Sequence, residues 1–236
     1  MFLSPNVYKV LSIIFTGCLL GLGLYTLGNE LVFDQLYLIF LSLIALYARK
    51  NVNLLGIVAI LILAKALEQL IYTALAMNNN TQWALYIVGF LSLLVFKKER
   101  CFRYYFALLL VSLFNDLYAM YSVSSNHSII WYLFLTLNAF ITRRLIMKRP
   151  FITVRYFPDK VEPIALDHFI YGLFGFLIWV NILICAALLL FNFLGVDNAS
   201  ILQNSYIYLV HFIMFTLLFS VRRHSIRIIR EGITKF

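Results

Sequence analysis

Two acidic residues lie inside apolar stretches of this chain, where an ionised side chain is unfavourable. Glu68 lies in LILAKALEQLIYTALAM and Asp116 in LLLVSLFNDLYAMYSV. Each is followed 15 positions later by a tryptophan, Trp83 and Trp131, so the two pairs are offset by 48 positions. This equal spacing suggests that two neighbouring helical hairpins are related. Because ionisable groups within a bilayer often mark ion pathways or proton relays, the two acids are candidates for a functional site.

A histidine in a third apolar stretch is expected at the same depth as the two acids. Glu68, Asp116 and His211 lie nine, seven and eight positions from the predicted outer ends of their spans. At about 1.5 Å per residue, all three are roughly 10–14 Å below the outer surface. Carboxylates with an imidazole suit a cation, a transition metal or a proton relay. The sequence therefore predicts one layer of three ionisable groups.

The two acids differ in the partners that their own helices offer. Lys65 precedes Glu68 by three positions on one helix face, so the two can form an ion pair that only fixes packing. A lone charge in the middle of a span costs about 2.5–3.5 kcal/mol on insertion scales. Among the residues three and four positions from Asp116 none is charged, and only Ser112 could form a hydrogen bond with it. We expect His211 or Lys65 to reach Asp116 from another helix.

Three amides are further candidates for this site: Asn115, Asn138 and Asn181. The two deeper ones either extend a polar path or form interhelical hydrogen bonds. The chain has no HExxH, GxSxG, P-loop or GxGxxG motif. Its three cysteines have no metal-ligand spacing. The sequence assigns no cofactor, leaves any metal undetermined and favours a protein that is not an enzyme.

The elements that must position these residues are membrane spans. Of the 236 residues, 63% are hydrophobic and 12% are charged, against about 25% charged in a soluble domain. A span needs about 20 apolar residues and satisfies its backbone as a helix. The sequence predicts an all-α integral membrane protein with eight spans: 8–28, 31–48, 53–77, 82–96, 101–123, 128–144, 167–195 and 203–221.

The connections between these spans alternate in charge. Those after the odd spans contain no Lys or Arg, whereas those after the even spans are basic, as in Arg49-Lys50 and Lys97-Lys98-Glu99-Arg100. The positive-inside rule then places both termini in the cytoplasm. The expected architecture is four up-down hairpins within residues 1–221, in the inner membrane of a bacterium.

The cytoplasmic side carries the two longest predicted non-spanning pieces. In 145–165, Pro150, Pro158 and Pro163 argue against a continuous helix, and PFITVRYF predicts a short extended segment. Asp167-His168 follows as a helix start or, less favoured, an acid–base pair. The tail 222–236 has the pattern of a basic amphipathic helix lying on an anionic leaflet. Its expected membrane anchors are Arg222, Arg223, Arg227 and Arg230.

Several classes of function are compatible with this pattern. The favoured one is a non-enzymatic membrane subunit, sensor, scaffold or channel component, including an immunity-type protein. It would contact the lipid bilayer and form a homo-oligomer or bind another membrane or cytoplasmic protein, and nucleic-acid binding is not expected. The alternative is a small cation, proton or metal transporter that uses the Glu68, Asp116 and His211 layer. An intramembrane enzyme comes third. Convergence of the three side chains on one cavity would favour transport.

Overall fold

The described part of the chain is helical throughout its ordered elements. The computed structural model describes residues 29–47, 51–77, 81–97, 101–121, 128–157, 165–194 and 199–233, with the isolated positions 17, 21, 25, 26, 49 and 99. Seven α-helices and no strand occur there: α1 Glu30–Tyr47, α2 Val52–Met77, α3 Thr81–Phe96, α4 Phe102–Tyr121, α5 Ser128–Tyr156, α6 Ala165–Leu194 and α7 Ala199–Ile233. The all-helical prediction is confirmed.

The predicted count of eight helices is not met, because seven are found in the part that the structure describes. The predicted first span, 8–28, lies outside the described residues except for four isolated positions. Four stretches are long and apolar enough to cross a membrane: Val52–Leu75, Ile129–Tyr156, Ala165–Leu194 and Ile201–Ile226. Two further helical stretches, Val32–Leu46 and Thr81–Phe96, are apolar but shorter. The chain is therefore a helical protein suited to a membrane, and its full topology stays a prediction.

Asparagine side chains define the starts of the first two helices. The Oδ1 atom of Asn29 accepts the backbone N–H of Val32 at 3.3 Å, and Oδ1 of Asn51 accepts that of Leu54 at 3.0 Å. The first turn of a helix has N–H groups without intrahelical partners, and Asn is a preferred residue for capping them. These caps fix the first turns of α1 and α2.

The fifth helix continues where the sequence predicted a break. Residues 145–156, expected to leave the membrane as a connector with an extended segment, are the last turns of α5, and Pro150 lies inside it. Proline removes one backbone donor, but the next turn is stabilised by the Thr153 hydroxyl, which donates to the carbonyl of Arg149 at 2.8 Å. Arg149 is itself held by an ion pair to α6. The extended-segment prediction is wrong because these contacts outweigh the local preference of proline.

Helix α5 lies at the centre of the bundle and contacts four other helices. It packs against α2, α3, α4 and α6, while α7 packs against α1, α2 and α6. Helices α3 and α4 approach closely at Gly89, where an added Cβ would lie 2.9 Å from the Leu109 side chain. The helices thus form two groups beside the α5–α6 pair, α1, α2 and α7 in one and α3 and α4 in the other.

The outer face of the bundle is apolar, as a lipid-facing surface requires. Leu94, Leu183 and Phe193 are 74%, 65% and 69% exposed. Helix α7 runs without interruption through the predicted tail boundary at 221–222. Arg222 is buried in the bundle and Arg223 is exposed, while the side chains of Arg227 and Arg230 lie outside the described residues. The surface-anchor role of these arginines stays a prediction.

Candidate functional site

A cavity of about 280 Å³ lies between α1, α2, α5, α6 and α7. Its wall contains two carboxylates, one ammonium group, one imidazole and several amides. Six of these polar residues are Asp34, Lys65, Glu68, Asn138, Asn181 and His211. Five of the seven residues that the sequence put forward as a binding site therefore share one cavity, whereas Asn115 and Asp116 are not part of its wall.

Lys65 is held between two carboxylates. Its Nζ atom lies 2.7 Å from Oδ1 of Asp34 and 2.7 Å from Oε1 of Glu68. The Lys65 side chain is only 5% exposed, and the two acids are 17% and 16% exposed. With all three groups ionised, the cluster has a formal charge of −1. Since a buried charge needs a partner, this excess makes the cluster receptive to one more positive charge.

The intrahelical Lys65–Glu68 contact is present as the sequence suggested, but Asp34 was missed. Asp34 belongs to α1, four positions after the first residue of that helix. An acid inside the apolar stretch LVFDQLYLIF was the signal that could have found it. Asp34 lies inside the predicted span 31–48, and only the packing of α1 on α2 brings it to Lys65.

His211 lies in the wall of the cavity with one ring nitrogen unsatisfied. The imidazole stacks on the ring of Phe33, with centroids 4.1 Å apart and an interplanar angle of 18°. The residue is 4% exposed, and its Nδ1 atom has no hydrogen-bond partner among the described residues. A buried polar atom without a partner is rare in folded proteins, which points to water or a ligand in the cavity.

The two deep asparagines have different roles in this wall. Asn138 Nδ2 donates to the carbonyl of Ala64 at 3.0 Å, so it joins α5 to the turn that carries Lys65. Asn181 is fully buried, and its Oδ1 accepts the hydroxyl of Tyr206 at 2.8 Å. The Nδ2 atom of Asn181 has no partner among the described residues. Asn138 thus forms an interhelical hydrogen bond, whereas Asn181 is a wall residue with one donor unsatisfied.

Aromatic rings close one side of the cavity. Tyr72 and Trp131 both belong to its wall, and their rings meet edge to face with centroids 5.4 Å apart. Trp131 also stacks on Phe134 at 5.9 Å. The faces of Trp and Tyr rings attract cations, most strongly for Trp. The wall thus combines carboxylates with aromatic surface.

Asp116 lies in a different place, and its predicted partners were wrong. Its Oδ2 accepts the hydroxyl of Tyr86 at 2.7 Å, and the same hydroxyl lies 2.8 Å from Oγ of Ser112. The reason is packing, because α4 contacts α3, α5 and α6 rather than the α1–α2–α7 group that carries His211 and Lys65. The predicted layer of Glu68, Asp116 and His211 therefore does not form. Asn115, its neighbour in the chain, is partly buried outside the cavity.

A third buried polar cluster joins α2, α5 and α6. Arg149 donates from Nε and Nη2 to the two oxygens of Asp167, at 2.9 and 2.6 Å, and from Nη1 to Oδ1 of Asn53 at 2.9 Å. Both charged side chains are almost fully buried. His168 is exposed, so Asp167 acts as a helix-joining acid and not with His168 as an acid–base pair. This cluster has the geometry of a structural clamp.

The chemistry open to the cavity is narrower than the sequence suggested. Within the described segments, no group of three or more His, Cys, Asp or Glu side chains is arranged to hold a metal ion. What the cavity does provide is a pair of carboxylates around one ammonium group, with a formal charge of −1 when all three are ionised, together with an aromatic wall and two unsatisfied nitrogen atoms. That arrangement suits a proton or a small cation. Comparisons of this chain with protein-family models, curated proteins and solved structures find no match to any of them.

Proposed function

We propose that this protein is a small-cation transporter of the membrane, with the cluster Asp34–Lys65–Glu68 as its binding site. The observation that carries the proposal is the sharing of one buried ammonium group by two carboxylates in the wall of a cavity. One carboxylate charge is left over, and a proton or another cation would neutralise it. Intramembrane carboxylates that face a cavity are a common way of binding transported ions.

Lys65 would act as an internal competitor for the transported cation. A cation that binds Asp34 and Glu68 weakens their hold on the ammonium group, and departure of the cation restores it. His211 is the second group able to take up a proton, because its Nδ1 atom is unsatisfied. Helices α1 and α2 each contribute one acid to Lys65, so a change in occupancy alters the attraction between these helices. Such coupling is what alternating access requires.

The orientation that accompanies this proposal is the one predicted by the charge pattern. Both termini lie in the cytoplasm, and the connections without Lys or Arg face outward. Trp131 lies three positions after the start of α5, next to one such connection, and Tyr72 lies five positions before the end of α2 at another. The cavity would then lie toward the outer side of a bacterial inner membrane, with the Arg149 clamp on the cytoplasmic side.

Charge movement in proteoliposomes tests the transport proposal. Purified protein would be exposed to steps of pH, Na⁺ or K⁺ concentration on a solid-supported membrane. We expect a transient current for at least one of these cations, reduced about tenfold or more in Asp34→Asn and Glu68→Gln, on the scale found for lost ionic contacts. Glu99→Gln is the matched control, because that partly exposed acid pairs with Arg143 outside the cavity. Equal currents in wild type and Glu68→Gln would refute the proposal.

A second candidate function is a non-transporting subunit, sensor or scaffold of a membrane complex. The observation that favours it is the closed geometry of the cluster, in which Lys65 reaches both acids at 2.7 Å and so fixes α1 against α2. The apolar outer face would serve a second copy or another membrane protein as well as lipid. In this case wild type gives no current, and Glu68→Gln lowers thermal stability without any change in charge movement.

A further inference from the structure

We infer that the ligand of this cavity is a small organic ammonium compound that also carries an oxygen acceptor, such as an amino alcohol. This inference deepens the proposed function, since it rests on cation binding at the Asp34–Lys65–Glu68 cluster and names the class of cation. Three features of the cavity support it: the carboxylate oxygens that Lys65 does not use, the aromatic wall, and the two unsatisfied nitrogens of wall residues.

The carboxylates already show that they can bind a primary ammonium group. Lys65 reaches Oδ1 of Asp34 and Oε1 of Glu68, each at 2.7 Å, which is the length of a charge-assisted hydrogen bond. Each carboxylate has a second oxygen that Lys65 does not use. An ammonium group has three donors, so a ligand of the same chemistry can contact those oxygens and remove the excess negative charge.

The shape of the cavity favours an organic cation over a bare ion. Its volume of about 280 Å³ is close to the lower limit of small-molecule sites. A dehydrated ion would need several oxygen ligands around it. In this wall an ammonium group already lies between the two carboxylates, where such an ion would have to bind. Trp131 and Tyr72 add ring surface that attracts an alkylammonium group with its CH₂ carbons.

The unsatisfied nitrogens require an acceptor on the same ligand. Asn181 Nδ2 is a donor without a partner on a residue that is fully buried, and His211 Nδ1 is unsatisfied on a residue that is 4% exposed. Both residues belong to the cavity wall, on α6 and α7, whereas the acids belong to α1 and α2. A hydroxyl group can accept from Asn181 and donate to or accept from His211, which a simple alkylammonium ion cannot do.

Calorimetric titration of the purified protein in detergent tests this inference with three probes: ethanolamine, ethylammonium and Na⁺. We expect ethanolamine to bind about tenfold or more tightly than ethylammonium, because a site built for a hydroxyl rejects an analogue without one. Na⁺ should bind more weakly than either. Equal binding of ethanolamine and ethylammonium, or no binding of ethanolamine, would overturn the inference.

Variants identify which groups of the protein recognise the two ends of the probe. Glu68→Gln should weaken ethanolamine about tenfold or more, with Glu99→Gln unchanged as control. Asn181→Asp keeps the acceptor for Tyr206 but loses the donor, so the preference for ethanolamine over ethylammonium should fall to about twofold or less. If Glu68→Gln fails to fold, Trp131→Ala, with Trp131→Phe as the conservative variant, replaces it. Full binding by Trp131→Ala, or an unchanged preference in Asn181→Asp, contradicts the inference.

The same ammonium chemistry occurs in free amino alcohols and in ethanolamine lipid headgroups. Titration with free ethanolamine in nanodiscs of phosphatidylglycerol, with and without phosphatidylethanolamine, separates the two sources. If the lipid headgroup occupies the site, it competes with free ethanolamine, which then binds more weakly in the discs that contain phosphatidylethanolamine. Equal binding of ethanolamine in both kinds of disc indicates that the ligand is the free compound. Wild type could give a cation-dependent current that Glu68→Gln loses and yet bind no ethanolamine. That result would leave the transport proposal standing and overturn this inference. Ethanolamine binding with no current after a step of H⁺, Na⁺, K⁺ or ethanolamine concentration would leave this inference standing and refute the transport proposal.

Discussion

At the scale of single residues, the buried acids of this protein differ because their neighbours differ. Glu68 shares Lys65 with Asp34 in a cavity, whereas Asp116 is bound by the hydroxyl of Tyr86 between two packed helices. The first arrangement leaves a charge in excess beside open space. The second meets the acid with a donor outside the wall of that cavity. Depth alone, on which the sequence prediction relied, did not separate these two situations.

Removal of the Tyr86 hydroxyl should destabilise the protein without affecting the cavity. Tyr86→Phe takes a donor from buried Asp116 and a hydrogen-bond partner from Ser112, and the loss of such a partner costs about 1–3 kcal/mol. Unfolding of the purified protein in detergent with increasing SDS measures this free energy. Tyr104→Phe is the control, since that ring is 57% exposed. Unchanged stability of Tyr86→Phe would mean that the hydroxyl bond is not formed in the folded protein.

At the scale of elements, buried ion pairs connect particular helices of the bundle. Lys65 ties α2 to α1, and Arg149 ties α5 to α6 and α2. Arg149 fits against α2 because Gly56 leaves room there, where an added Cβ would lie 3.2 Å from the Arg149 Cδ atom. The first tie belongs to a cavity wall and carries an unbalanced charge. In the second tie the charges of Arg149 and Asp167 cancel, and each guanidinium nitrogen donates a hydrogen bond. It therefore suits a rigid connection between helices.

Removing one partner of the Arg149–Asp167 ion pair should lower the free energy of unfolding far more than replacing both partners. Arg149→Met leaves the Asp167 carboxylate buried without its partner, which costs about 3–5 kcal/mol. The double variant Arg149→Met/Asp167→Leu removes both charges and should recover most of that loss. SDS unfolding of each variant measures these free energies, with Arg155→Met, an exposed position on the same helix, as control. A double variant no more stable than Arg149→Met would show that the pair is not isolated from other groups.

At the scale of the whole molecule, the apolar exterior and the basic connections together predict how the bundle lies in a membrane. Four described helical stretches can cross a bilayer by length and composition, and large apolar side chains cover the outside of the bundle. The basic residues of the sequence are concentrated in alternate connections. An orientation with these connections in the cytoplasm satisfies the positive-inside rule throughout.

Sandwich fusions that keep the full chain test this orientation. Alkaline phosphatase inserted after Asn79, in a connection without basic residues, should be active because the enzyme requires the oxidising outer compartment. The same insertion after Lys97 should be inactive, and green fluorescent protein at the C-terminus should fluoresce. Inverted activities at the two insertion sites would place the termini outside and move the cavity to the cytoplasmic side.

The sequence by itself determined the class of this protein and the residues whose burial needed explanation. Hydropathy and charge predicted helices in a membrane, since a backbone in lipid must satisfy its own hydrogen bonds. The spacing of Lys65 and Glu68 predicted their ion pair, because residues three apart share a helix face. Only the tertiary structure decided that Asp34 completes this pair, that Asp116 bonds Tyr86, and that α5 continues past Pro150. These outcomes depend on which helices pack together, and periodicity along one helix does not contain that information.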